Sequence, residues 1–145
     1  MKKQNILVLN GPNLNLLGER EPDQYGDISL DHIKELLHRE FPVVEFCFFQ
    51  SNHEGDLVDQ LHESHQSGVS GIIFNPGAYT HTSVALRDAV KAIAPPVIEV
   101  HLSNIYSREP FRHVSHLAPV CVGQISGLGA LGYCLAVRWL ISSHS

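Results

Sequence analysis

Apolar and polar positions along this chain follow two different periods. Five short runs, "NILVLN", "VVEFCFF", "GIIFN", "PVIEVH" and "VCVGQI", are largely apolar and rich in β-branched or aromatic residues, the pattern of strands covered on both faces. Between them the spacing turns helical. Ile33, Leu36 and Leu37 mark one amphipathic segment, Leu57, Val58 and Leu61 a second, and Ala85, Leu86, Ala89, Val90 and Ile93 a third. A last helix is predicted from about Leu128 to Ile141. Ser29 and Ser83 stand where N-caps are expected, and Pro95-Pro96 stops the third helix before the fourth strand. No stretch reads as a linker, repeat or low-complexity tract, so residues 1–145 are read as a single domain. Five buried parallel strands with intervening helices predict an open, doubly wound α/β/α sandwich with strand order 2-1-3-4-5.

Such a sheet binds its ligands beyond the carboxyl ends of the strands, at the switch point between strands 1 and 3. The loops expected there are chemically unusual. Strand 1 runs into "GPNLNLLGEREPDQYG", strand 3 into "NPGAYTHTS" and strand 4 into "HLSNIYSREPFR". Together they hold Asn13, Arg20, Tyr25, Asn75, His81, His101, Ser103, Arg108 and Arg112. A connection as long as Gly11 to Gly26 inside a compact chain is either disordered or functional, and its position at the switch point makes it a lid.

Composition narrows the class. With 145 residues and 43% hydrophobic content the chain can bury one core, not two. A formal net charge of -5 without a Lys/Arg cluster argues against a nucleic-acid partner. The basic start "MKKQNILVLNGPN" ends at once in polar residues and has no small-residue cleavage site, so it does not read as a signal peptide. The apolar runs are too short and interrupted to cross a bilayer, so no membrane partner is expected. Cys47, Cys121 and Cys134 are far apart, odd in number and set among apolar neighbours, which predicts buried free thiols in a reducing compartment, the cytoplasm.

Each candidate for chemistry has a bland alternative. His101 ends a buried strand and is either a structural histidine satisfied by a backbone group or, beside Ser103 in a cleft, a general acid or base near neutral pH. Glu99, two residues earlier on the same strand face, is placed to bond the imidazole and hold one tautomer, which favours chemistry. Tyr25 and Arg20, five residues apart in the lid, read by themselves as a surface aromatic beside a solvated charge. A free tyrosine is only about one part in a thousand ionised at pH 7, but an adjacent guanidinium stabilises the phenolate, so a closed lid would deliver a strong base. Arg108 offers a second positive charge from beyond strand 4. Asn13 and Asn75 lie just past strands 1 and 3. Asn75-Pro76-Gly77 is also a good turn in its own right, and its place in the cleft tips it toward ligand binding.

Several motifs carry less than they suggest. "GLGALG", Gly127 to Gly132, fits a dinucleotide fingerprint, but no second strand or ribose-binding acid follows it, and close helix–sheet packing explains it better. "HESH" (His62, His65) and "HVSH" (His113, His116) have metal-like spacing without a completing ligand set and are read as solvated helix faces. No metal or other cofactor is therefore expected. Lys2, Lys3, Lys34 and Lys91 fall at the terminus or on outer helices, which leaves no Schiff-base nucleophile. The remaining set of tyrosine, histidine, amides and arginines suits proton abstraction beside a carbonyl of an anionic substrate, followed by departure of a protonated group. Two other classes stay open from the residues alone: a flavin- or nucleotide-dependent redox domain, and a catalytically silent binding module on the same fold.

The segments "LNGPNLNLLGEREPDQYG", "QSNHEGDLVD", "NPGAYTHTSVALRDAV", "EVHLSNIYSREPFRH" and "GLGALGY", in this order and over nearly the whole chain, resemble the type II 3-dehydroquinate dehydratases, the small dehydroquinases of the shikimate pathway. The resemblance implies a flavodoxin-like fold, conversion of 3-dehydroquinate to 3-dehydroshikimate by anti elimination through an enolate without metal or imine, and a homododecamer built as a tetramer of trimers. It further implies that Tyr25 is the base, that Arg20 lowers its pKa, that Asn13 holds a water against the enolate oxygen, and that His101, oriented by Glu99, protonates the leaving hydroxyl. Asn75, His81, Arg112, Ser103 and the backbone at Leu102 would hold the substrate, Asp88 would reach a neighbouring subunit's site, and Arg108 would close with the lid. No substitution appears at these positions. Pro110, within "SREPFR", is a small irregularity in the loop after strand 4.

Overall fold

A computed structural model describes residues 3–19 and 28–143. Five strands, β1 (Asn5–Asn10), β2 (Glu45–Gln50), β3 (Gly71–Asn75), β4 (Val97–His101) and β5 (Gly123–Ser126), form one parallel sheet in the order β2-β1-β3-β4-β5. Four α-helices connect or follow them: α1 (Leu30–Glu40), α2 (Glu54–Ser67), α3 (Val84–Ala92) and α4 (Leu131–Ser142). The expected strand order and α/β/α layering are both present.

Strand alternation sends side chains to two cores. Ile6, Val8, Ile73, Ile98 and Val100 pack under Ile33 and Leu37 of α1 and Ala136, Val137 and Leu140 of α4. Leu7, Leu9, Ile72, Phe74 and Val97 pack on the other face under Leu57 and Leu61 of α2 and Leu86, Ala89 and Val90 of α3. The Ser29 hydroxyl accepts from the His32 N–H at 3.0 Å and the Ser83 hydroxyl from the Leu86 N–H at 2.9 Å, so both expected caps are made. Such a cap contributes about 1 kcal/mol.

The departures from expectation have physical causes. β3 and β4 are buried along their length and β1 from Ile6 onward, whereas β2 and β5 are sheet edges with partly exposed side chains, because an edge strand has a neighbour on one side only. Cys47 on β2 is accordingly exposed and Cys121 half-buried, with only Cys134 buried, although all three are free. Val43 falls in a turn ahead of β2, and the first residue of "VCVGQI", Val120, belongs to a short 3-10 turn, Ala118–Val120, that carries Pro119, with Cys121 and Val122 in the bend before β5. Ala85 faces outward on α3. The last helix begins at Leu131 rather than near Leu128, because Gly127 and Gly129 have φ of 91° and 61°, outside the right-handed helical region. Gly132 does serve helix–sheet packing: a Cβ there would lie 3.3 Å from Ile125 and 3.4 Å from Val100. Among the described residues no helix is long and apolar enough to cross a membrane.

Candidate active site

The carboxyl ends of β1, β3 and β4 open into one cleft at the switch point. Asn13 lines it after β1, Asn75 at the end of β3 and His81 beyond it, and His101 at the end of β4 with Leu102, Ser103, Arg108 and Arg112 beyond it. Pro12, Leu14, Gly77, Ala78 and Ile105 complete the wall. Glu99 lies behind His101, fully buried. Asp88 is exposed on α3 and does not line this chain's own cleft. Arg20 and Tyr25 lie outside the described residues.

Strand β4 places Glu99 and His101 on the same face, two residues apart, and the imidazole Nε2 meets Glu99 Oε2 at 2.5 Å. The carboxylate accepts further from Gln124 Nε2 at 2.8 Å and from the Ser115 hydroxyl at 2.8 and 3.0 Å. Ser115 is itself held, accepting from the Leu117 and Ala118 N–H groups at 3.2 and 3.0 Å. Burial pushes the Glu99 carboxyl up, but the His101 hydrogen bond and charge, with the bonds from Ser115 and Gln124, outweigh it and hold the group below its ordinary value. An acceptor surrounded by donors stays ionised. His101 therefore directs its Nε2–H at a fixed anion and leaves its other ring nitrogen for the cleft.

Asn75 is both turn former and cleft residue. Its Oδ1 accepts from the Gly77 N–H at 3.1 Å, an Asx turn, while its Nδ2 donates to the Tyr133 hydroxyl at 3.1 Å. Tyr133 in turn donates to Asn10 Oδ1 at 2.6 Å. Across the cleft mouth Asn13 has φ 68° and ψ -4°, a left-handed conformation that Asn tolerates better than other side chains. Its N–H donates to Asn52 Oδ1 at 3.0 Å, and Gln50 Nε2 donates to the Gly11 carbonyl at 3.1 Å, so the end of β2 steadies the loop after β1.

His81 bonds the Val114 carbonyl through Nδ1 at 2.8 Å. Burial, more than the nearby positive charges, lowers its pKa. The neutral ring thus donates from Nδ1 and presents Nε2 as an acceptor. Arg108 reaches the Ser103 hydroxyl at 3.4 Å and lies 3.9 Å from Glu109. Arg112 pairs with Glu109 at 2.9 Å. Pro110 opens the 3-10 turn Pro110–Arg112, where a residue without an N–H costs nothing, so the irregularity is absorbed locally.

The decoys resolve along local lines. His62 and His65 lie on the exposed face of α2, as expected, whereas His113 and His116 fall in a loop rather than on a helix. Among the described residues no group of three or more His, Cys, Asp or Glu side chains is arranged to hold a metal.

The Dehydroquinase class II family profile matches residues 4–141. This chain belongs to the class II dehydroquinase family. A 3-dehydroquinate dehydratase from an Exiguobacterium strain is 60% identical over 137 residues, covering 94% of this chain and 93% of that protein. One from Bacillus subtilis is 56% identical over 146 residues, covering 96% and 95%. The crystal structure of a type II dehydroquinase from Butyrivibrio crossotus superposes with a TM-score of 0.92 at 45% identity, covering 95% of this chain and 97% of that one.

For this class II dehydroquinase scaffold, sequence reasoning missed four residues that organise the cleft. Ser115 was hidden inside "HVSH", a motif set aside as a false metal site. Gln124 needs the β4–β5 register, which pairs it with Glu99. Asn52 needs the β1–β2 pairing that brings Gln50 beside Asn10. Tyr133 sits at the end of "GLGALGY" and reaches across 58 residues to Asn75. No local period signals contacts of that range.

Proposed function

We propose that this chain is a 3-dehydroquinate dehydratase of the shikimate pathway, eliminating water from 3-dehydroquinate through an enolate to give 3-dehydroshikimate. The observation that carries the reading is the Glu99–His101 pair at the cleft, on a chain of the class II dehydroquinase family. Tyr25, its phenolate favoured by Arg20, removes the proton beside the ketone, and the electron pair moves onto the carbonyl oxygen. Asn13 holds a water that stabilises this enolate. Collapse of the enolate expels the β-hydroxyl on the opposite face, and His101 supplies the proton with which it leaves as water. Hydroxide is too poor a leaving group without that proton. Glu99 compensates the imidazolium. Asn75, His81, Ser103, Arg112 and the Leu102 backbone hold the substrate's hydroxyls and carboxylate, and Arg108 closes over them with the lid.

The same reading takes residues 1–145 as one catalytic domain working in the cytoplasm, in a homododecamer made of four trimers. The exposure of Asp88 on α3, away from its own cleft, supports its reaching a neighbouring subunit's site.

The test is to add 3-dehydroquinate to chelator-treated protein and follow the ultraviolet absorbance of the conjugated enone, with a parallel sample pretreated with substrate and borohydride. Equal growth of absorbance in both samples supports an imine-free dehydratase. No absorbance change in the untreated sample would overturn the reading.

A further inference from the structure

Among the described residues, the Tyr133 hydroxyl is the group that joins the ends of β1 and β3 through side chains. Asn10 and Asn75 are register partners across the β1–β3 ladder, and both amides converge on the phenol from the first turns of α4. Tyr133 has 0% exposure, and Asn10 and Asn75 have 4% and 3%, so water does not compete for these bonds.

The proton arrangement follows from counting donors. A phenol has one proton, and Asn10 Oδ1, 2.6 Å away, can only accept. The Tyr133 proton therefore points at Asn10, and its lone pair faces Asn75 Nδ2 at 3.1 Å. At the other end of the same amide, Asn75 Oδ1 accepts from the Gly77 N–H at 3.1 Å. Both ends of the Asn75 amide are thus specified, and a flip would set an oxygen against the phenol's lone pair and an NH2 against an N–H. Of the amide's two donor protons, the second on Nδ2 is not used by Tyr133 and is the donor available to the cleft that Asn75 lines. Burial also raises the Tyr133 pKa, with the Asn75 bond opposing it, so the hydroxyl keeps its proton at any working pH.

We propose that Tyr133 is a positioning residue that acts through Asn75. It locks the amide so that Asn75 presents a donor, and therefore selects a carboxylate or hydroxyl oxygen on the ligand. The proposal rests on the reading of Asn75 as a substrate-binding residue. Tyr133 itself touches no substrate. Its effect is on binding: without the phenol only the Gly77 N–H still orders the amide, so it spends more of its time offering the wrong atom, and the substrate must select the right one.

The test is a double-mutant cycle on the full chain with 3-dehydroquinate as substrate: Tyr133→Phe, Asn75→Ala and the pair together, each measured for KM and kcat, with thermal melting as a check of folding. The expected result is that Tyr133→Phe raises KM by about three- to tenfold with a smaller change in kcat, and that adding it to Asn75→Ala changes KM by less than about twofold. Asn10→Ala, which frees the phenol to rotate, is the second route to the same outcome should Tyr133→Phe fail to fold. It should raise KM in the same direction and add little to Asn75→Ala. An unchanged KM in both of these variants, or effects that add in full to Asn75→Ala, would overturn the role of Tyr133 while leaving Asn75 as a binding residue. An unchanged KM in Asn75→Ala would instead remove the reading of Asn75, and this proposal with it.

Discussion

Gln124 lies directly across the β4–β5 ladder from Glu99 and donates to its Oε2 at 2.8 Å, the same oxygen that meets His101. The amide therefore helps to decide the charge of a carboxylate that itself sets the state of the cleft histidine. Gln124→Leu removes one donor and leaves the others in place. A lost hydrogen bond to a charged group is worth about 1.5–3 kcal/mol. Turnover should fall by about ten- to a hundredfold if most of that appears in the transition state, and the pH dependence of kcat should change with it. A kcat and pH profile matching the parent protein would show that Ser115 and His101 hold Glu99 unaided.

Glu99 also ties stability to pH. Its folded-state value lies below 4.5, so the folded chain binds this proton less readily than the unfolded chain. The resulting stabilisation is present above the ordinary carboxyl value and is lost as pH falls through the lower, folded one. Glu99→Gln should flatten the acid side of the stability curve below about pH 4.5. Urea midpoints measured between neutral and acid pH test this, and a variant as acid-sensitive as the parent would contradict it.

The loop after β1 is held by backbone contact. A Cβ on Gly11 would lie 2.4 Å from the Pro76 carbonyl oxygen, and the Gly11 N–H already donates to the Asn75 carbonyl at 2.8 Å. Since neither partner is a flexible side-chain end, Gly11→Ala should destabilise the chain by about 1–3 kcal/mol, as overpacking does, and displace Asn75 enough to weaken substrate binding. Chemical denaturation reads the first effect and KM the second. Wild-type values for both would mean that the two loops can separate without consequence.

The proposed roles of Tyr25 and Arg20 separate cleanly in kinetics. Tyr25→Phe should lower kcat by at least about a hundredfold, within the range of general-base catalysis, while leaving KM little changed. Arg20→Ala should slow the reaction and move the pH at which the base becomes active upward, because the phenolate loses its stabilising charge. Near-parental turnover in Tyr25→Phe would remove the assignment of the base. An unmoved pH profile in Arg20→Ala would restrict the arginine to closing the lid.

Asp88 tests the assembly. If it serves a neighbouring subunit's site, Asp88→Ala should lower kcat/KM even though the residue is absent from its own cleft. Mixing this variant with an inactive His101→Ala chain, under conditions where subunits exchange, should then restore part of the activity. Sedimentation of the parent protein as a species smaller than a trimer would exclude the idea.

Local pattern was enough to read much of this protein. β1 and β3 match the runs "NILVLN" and "GIIFN", and the caps at Ser29 and Ser83 act within three residues of themselves. The switch point, and with it the cleft flanked by Asn13, Asn75 and His101, followed from strand order. So did the pairing of Glu99 with His101, because alternate residues of a strand share a face. Tertiary structure alone decided the rest. Whether Cys47 is buried depends on β2 being an edge. That Ser115 and Gln124 saturate Glu99, and that Tyr133 orients Asn75, depends on contacts spanning 16, 25 and 58 residues. A period in the sequence reports which side of an element faces inward. Which buried donor meets which acceptor is set by how the layers pack and where the register falls.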